Sequence, residues 1–317
     1  MTLPLNIKKD ATVRGKELAK RHEPIPSYRL YTARDNPSTI FPPSLSKWGS
    51  SLQKNAGFVS HGAPDIILGT DRALHSWQTY LKPEKNYRAI AVISAHWMEK
   101  ELTISGNPHP KTIHDFGGFP EELYQMRYPA PGSPSVAMNL NENLSKSGWI
   151  SKMENNRGLD HGVWIPLMTM SPDSQIPVVP ISLSREMGTG EMFQFGRDLH
   201  DIAGNDLFFL ASGGITHNLF EARVTTGGNA RWAEEFDDWT VKTVQAGNWD
   251  DLIHYRTAAP YGSRNHPTEE HFLPLLAFAG WASRSLECSP ERKISVPNRD
   301  ISYHCISMTG FLLESTQ

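Results

Sequence analysis

Two short apolar runs in this chain break off at a histidine, and that pattern constrains the fold more than any other feature. Gly57-Phe58-Val59-Ser60 stops at His61-Gly62, and Ala89-Ile90-Ala91-Val92-Ile93-Ser94 stops at Ala95-His96-Trp97. Three further runs have the same character: residues 176–183, broken by Pro177 and Pro180; residues 206–211, ending at Ser212-Gly213-Gly214; and residues 301–308 near the carboxyl end. All are short, rich in β-branched or aromatic residues and bounded by turn formers, so they read as buried strands. Helical patterns lie between them, over 72–82, 136–147 (with Gly148 in the capping position), 192–203 and 229–246. In the last of these, Trp232, Phe236 and Trp239 form a core-facing stripe. Thr268 is expected to cap a helix running to about Ser283, with Glu269 and Glu270 at its positive end. Strands alternating with helices imply an α/β fold: a single domain with a central, mostly parallel sheet covered by helices on both faces.

No repeat or linker interrupts residues 57–313. Residues 1–50, with Pro24, Pro26, Pro37, Pro42 and Pro43, read as an extended, largely irregular arm, leaving 51–317 as the folded domain. A net charge of −3 points to neither a nucleic-acid nor a membrane-surface partner. The longest apolar stretch, 273–282, falls far short of the ~20 residues that cross a bilayer. The two cysteines, Cys288 and Cys305, form no framework, so a reducing, cytoplasmic location is expected. The amino-terminal segment lacks the apolar core of a secretory signal.

Histidine is the outlier, with 13 copies. His61 and His96 each follow a strand, as does His217 in Ser212–Leu219; His271 falls in the first turn of the expected last helix. The carboxyl edge of an open α/β sheet is where ligands bind, and converging neutral imidazoles suit Fe, Zn, Cu or Ni. Any one of them, taken alone, is more often a hydrogen-bonded loop residue; three at one sheet edge change that balance. His75 and His254 lie in helical patterns, His109 and His114 in a Pro/Gly loop, and His22, His200, His266 and His304 read as structural. No GxSxG, HExxH, P-loop or GxGxxG motif offers a competing chemistry.

Six segments then fall together: SHGAP at 60–64, SAHW at 94–97, FGGFPEELYQMRYPAPG at 116–132, LDHGVWIPL at 159–167, SGGITHNL at 212–219 and NHPTEEHFLPLL at 265–276. In this order they resemble the class III extradiol ring-cleavage dioxygenases, in their DOPA 4,5-dioxygenase branch. The resemblance implies that 51–317 is the catalytic domain and that one divalent metal is held by His61, His96 and His271. It implies that His217 is the acid/base and that His161 lines the pocket beside it. Fe(II) is the expected active ion, and Zn(II) suits the same ligands. Many ring-cleaving enzymes use two histidines and a carboxylate, and Glu269 and Glu270 compete in sequence for the third place. Adjacent helical residues point apart, so Glu270 and His271 cannot both face the metal; His271 is chosen on resemblance.

The implied substrates are dioxygen and a catechol such as L-DOPA or a related ortho-diol, opened to a muconic-semialdehyde type product. Trp97, Phe119 and Tyr124 are candidates to pack the ring, or else core residues, and Asn218 is a candidate hydrogen-bonding group. His217 as a fourth metal ligand is the competing role for that residue. A zinc-dependent hydrolase and a non-enzymatic metal-binding protein are the competing functions.

Overall fold

A computed structural model describes residues 54–82, 86–224 and 227–315. The expected amino-terminal arm, 1–50, lies outside the described residues. Ten strands are present among the described residues: β1 (Asn55–Ser60), β2 (Ala89–Glu99), β3 (Leu102–Ser105), β4 (Ser151–Glu154), β5 (Val178–Ser184), β6 (Leu207–Gly213), β7 (Arg292–Ser295), β8 (Ile301–Ser302), β9 (Ile306–Ser307) and β10 (Phe311–Ser315). Eight of them form one sheet in the order β4-β3-β5-β2-β6-β1-β10-β7. The central four, β5-β2-β6-β1, are parallel, while β3 joins β5, and β10 joins both β1 and β7, in antiparallel fashion.

The central strands are predominantly apolar because both their faces are buried. Ala89, Ala91 and Ile93 enter one core, with Phe209, Phe58 and Ile181. Ile90 and Val92, one residue out of phase, enter the other, with Phe208, Leu210 and Val59. The first core is closed by helices Pro134–Lys146, Thr189–Ile202 and Leu273–Cys288, the second by Arg72–Trp77 and His161–Met170. Helices Thr189–Ile202 and Leu273–Cys288 cross with their backbones touching. A Cβ on Gly280 would lie 1.9 Å from the Phe193 carbonyl oxygen, and one on Gly196 would lie 2.0 Å from that of Ala277. Gly148, with φ +90°, occupies the left-handed position expected after its helix. No helix among the described residues is long and apolar enough to cross a membrane.

Three expectations are corrected. The run 301–308 is not one strand: Tyr303 and His304 take positive φ values (47° and 63°), folding it into the β8–β9 hairpin, and the terminal strand is β10. β2 does not stop at Ser94 but continues to Glu99 through a register shift between Ile93 and Met98, so His96 sits in that irregularity. The last helix starts at Leu273, where Pro274 fits the first turn, rather than after Thr268. The Thr268 hydroxyl bonds Glu270 instead, and His271 lies in the turn ahead of the helix.

Candidate metal centre and active site

His61 follows β1 directly, and its amide donates to the Gly213 carbonyl at 3.0 Å, extending the β1–β6 ladder by one step. Gly62 then turns the chain with φ +65°, a conformation that favours glycine. The His61 Nδ1 lies 2.9 Å from the Ser212 hydroxyl, and that hydroxyl donates to the Gly162 carbonyl at 2.5 Å. Ser212 has one proton and has given it to Gly162, so it must accept from His61. Nδ1 is therefore the protonated nitrogen, and Nε2 carries a bare lone pair.

The reason Gly162 needs that donor is in the sequence. Pro166 lies inside helix His161–Met170, four residues on, and has no N–H to return to the Gly162 carbonyl. One buried serine thus fills the gap left by a helical proline and fixes the tautomer of a histidine.

His96 places its Nε2 3.1 Å from the His61 Nε2, and its Nδ1 faces the Asp115 carboxylate at 3.5 Å. The irregular stretch of β2 that carries it is tied down by a buried network. The Ser94 hydroxyl donates to Asp160 at 2.6 Å and accepts the His96 amide at 3.2 Å. The Arg157 Nη2 reaches both Asp160, at 2.8 Å, and the His96 carbonyl, at 3.2 Å. The turn bearing His271 rests on β6: the Gly214 amide donates to the His271 carbonyl at 2.8 Å, and a Cβ on Gly213 would stand 2.3 Å from that oxygen. The Gly-Gly of SGGITHNL therefore serves close backbone approach. The His271 Nδ1 lies 3.2 Å from Glu270, and its Nε2 is buried with no partner. Glu269 is turned away toward Tyr255 and Arg256.

The three rings lie with centroids 5.0, 5.5 and 5.0 Å apart. Each has an acceptor at Nδ1, which is how metal-binding histidines are usually oriented. Two bare Nε2 lone pairs 3.1 Å apart repel unless a cation lies between them. Two nitrogens bound to one ion at ~2.1 Å with ordinary tetrahedral to octahedral angles lie ~3.0–3.4 Å apart. The Nε2 of His271 is buried with no partner, and among the described residues the donor atoms lying within 4.8 Å of one another form two clusters, His61-His96-His161 and His217-Glu270-His271. Burial, reinforced by the neighbouring imidazoles, holds His61 and His271 well below the usual imidazole range and His96 at about 3. All three are thus neutral at pH 7, the form that binds metal.

Two more histidines border this centre. His161 opens its helix with its amide 2.9 Å and its Nδ1 3.0 Å from one Asp115 oxygen, and its ring is 4.0 Å from that of His96. Its donor atom lies close enough to those of His61 and His96 for the three to share an ion. Burial pushes the Asp115 carboxyl up, but its hydrogen bonds and charge interaction with His161 outweigh that and bring it to about 2. His217 stacks on His271 with centroids 3.3 Å apart and planes 8° from parallel. Burial, partly offset by Glu270, lowers it to about 4.

A cavity of about 540 Å³ opens over these rings, walled by Phe116, Phe119 and Ile306, with Arg223 and Asp65 also in its lining. The structure brings together His61, His96, His161, His217, His271 and Phe119. It does not bring Trp97, Tyr124 or Asn218 to the cavity. Trp97 is buried under Arg157 and bonds Glu99. Tyr124 packs on Phe116 and His114 from outside the lining. Asn218 accepts the Glu221 amide and donates to the Arg264 carbonyl, securing helix Leu219–Val224. Sequence reasoning passed over Asp115, Ser212, Phe116 and Arg223. Asp115 directly precedes the FGGFP segment, a signal that was available; Ser212 had none, since its role arises from Pro166 in a different segment.

Fold and site together define an α/β enzyme with a polyhistidine centre at the carboxyl edge of its parallel strands. A family model described as the catalytic LigB subunit of aromatic ring-opening dioxygenase matches residues 63–306. The chain belongs to that family and is an extradiol ring-cleavage dioxygenase. It is 36% identical over 228 residues to a 4,5-DOPA dioxygenase extradiol of Portulaca grandiflora, covering 70% of this chain and 84% of the relative. It is 32% identical over 275 residues to one of Escherichia coli, covering 82% and 94%. The crystal structure of an uncharacterized protein from Escherichia coli K12 matches with a TM-score of 0.68 at 27% identity, over 82% of this chain and 99% of that one.

Proposed function

We propose that the chain opens the ring of a catechol, L-DOPA or a related aromatic ortho-diol, with one divalent ion held by His61, His96 and His271, and that Fe(II) is the active ion. The observation that carries this reading is the trio of imidazoles whose Nδ1 atoms face Ser212, Asp115 and Glu270, leaving each Nε2 without a proton. When bound, such an ion supplies a template for diol and dioxygen and lowers the diol's pKa.

The chain's own residues do the rest. Phe116 and Phe119 offer apolar walls to the ring and exclude water from it. His217 is neutral at pH 7, so a ring nitrogen accepts the proton of a substrate hydroxyl and returns it to the oxygen released as the ring opens. His161, held by Asp115, borders the same space and keeps its imidazole aimed at the reacting groups. The names of the relatives, 4,5-DOPA dioxygenases, support the substrate. The zinc-hydrolase and non-enzymatic readings have no observation of their own.

The test is anaerobic loading with Fe(II), followed by air and a catechol panel. Oxygen consumption matched by a yellow ring-opened product is expected, and uptake without that product overturns the reaction. Elemental analysis should find about one metal per chain, lost in His61→Ala and His96→Ala; full retention in both variants removes the site.

A further inference from the structure

The floor of the cavity accounts for a diol and for proton transfer, but two charged groups in its lining remain unused. Arg223 is one. It lies on helix Leu219–Val224, which buries none of its residues, so it stands at the open side of the cavity beside Leu219 and Ala222. The one acidic group of that helix, Glu221, is committed to Arg264 at 2.9 Å. Among the described residues Arg223 has no hydrogen-bond or ion-pair partner. Asp65 is the other. Its Oδ2 accepts the Tyr303 hydroxyl at 2.6 Å, and its Oδ1 is buried with no partner. Asp115, the remaining charged lining residue, is occupied with His96 and His161.

A mostly apolar cavity with an unpaired cation and an under-used carboxylate is complementary to a ligand with an apolar body and charged ends. Resting on the catechol reading above, we propose that this rim selects substrates by the charge of the side arm. Arg223 receives a carboxylate, in the forked geometry guanidinium groups favour, and Asp65 receives an ammonium group through Oδ1. The preferred substrate is then a catechol carrying both charges, an aromatic amino acid, over amines, acids or neutral diols of the same ring.

The experiment compares kcat/KM of the Fe(II)-loaded protein for L-DOPA, 3,4-dihydroxyphenylpropionate, dopamine and 4-methylcatechol. Arg223→Gln is expected to lower the propionate-to-methylcatechol ratio by ~10-fold or more, the loss of one charge-assisted hydrogen bond. Arg223→Lys should recover part of it. Asp65→Asn is expected to lower the dopamine-to-methylcatechol ratio, and Tyr303→Phe, which leaves both carboxylate oxygens in place, should not. Arg223 is exposed, so its variants keep the fold, which circular dichroism checks. Ratios that stay constant across the panel in both Arg223→Gln and Asp65→Asn overturn the charge selection while leaving ring cleavage standing. If no catechol is turned over by the unaltered, metal-loaded protein, the catechol reading fails and this inference with it.

Discussion

Replacing Ser212 with alanine separates what this residue does for the fold from what it does for the metal. Ser212 is 0% exposed, and its loss strands two buried groups, the Gly162 carbonyl and the His61 Nδ1–H. Leaving a buried polar group unsatisfied costs ~1–3 kcal/mol, so the pair should cost roughly 2–6 kcal/mol. The His61 ring also loses the acceptor that fixes its tautomer, and such partners are worth ~10–100-fold in metal affinity. Urea unfolding of the metal-free protein reads the first effect, and competition for Zn(II) with a chromogenic chelator reads the second. Pro166→Ala completes the cycle, because it restores an N–H that can reach Gly162 within the helix. In the double variant the Gly162 share of stability, about 1–3 kcal/mol, should return, measured against Pro166→Ala alone. The metal affinity should stay low. Unchanged metal affinity in Ser212→Ala refutes the tautomer argument, and a double variant that recovers no stability refutes the account of Gly162.

Three other perturbations test separate parts of the structure. His217→Ala should keep its metal and lose ~100-fold or more in kcat; loss of the metal together with activity would make His217 a fourth ligand. Gly280→Ala forces a Cβ to 1.9 Å from the Phe193 carbonyl, which is backbone and cannot swing aside, so the loss should reach the upper part of the ~1–3 kcal/mol typical of overpacking, read by urea midpoint. Burial, opposed by Asp201, lowers the His200 pKa to about 4 from an unfolded value of ~6.5. Its folded form therefore binds the proton less readily than the unfolded chain. The stability it contributes is complete above ~6.5 and drains as pH falls toward 4, by roughly 2–3 kcal/mol in all. His200→Gln should flatten that part of the stability–pH curve; parallel curves for the two proteins would contradict the assignment.

How much of this was legible in the sequence follows from the range of the forces involved. The four central strands announced themselves because burial on both faces demands predominantly apolar runs, and β1, β2, β5 and β6 have them. The outer strands β3, β4, β7 and β10, of which β4 and β7 are the edges, did not. They are four or five residues long, and their pairing is decided by neighbours distant in sequence. Helix His161–Met170 escaped notice for the opposite reason: it is apolar on nearly every side, so it has no periodicity to detect, and it contains a proline that argues against a helix.

The site divides in the same way. His61 and His217 could be placed at strand ends from local pattern alone, whereas the place of His271 in the cavity lining could not, since it depends on Gly213 letting the His271 turn lie against β6. The groups that orient the imidazoles, Ser212 and Asp115, act across 151 positions in one case and 46 in the other. No window of sequence contains both partners. Trp97, Tyr124 and Asn218 failed to reach the cavity although each sits beside a motif residue, because neighbours along a strand or turn point to different sides. Motif spacing identifies which backbone segments converge, and the direction of each side chain must come from the fold. That is why Arg223, beyond the end of the SGGITHNL segment in a helix with no buried face, becomes a candidate for substrate selection only when the cavity it borders can be seen.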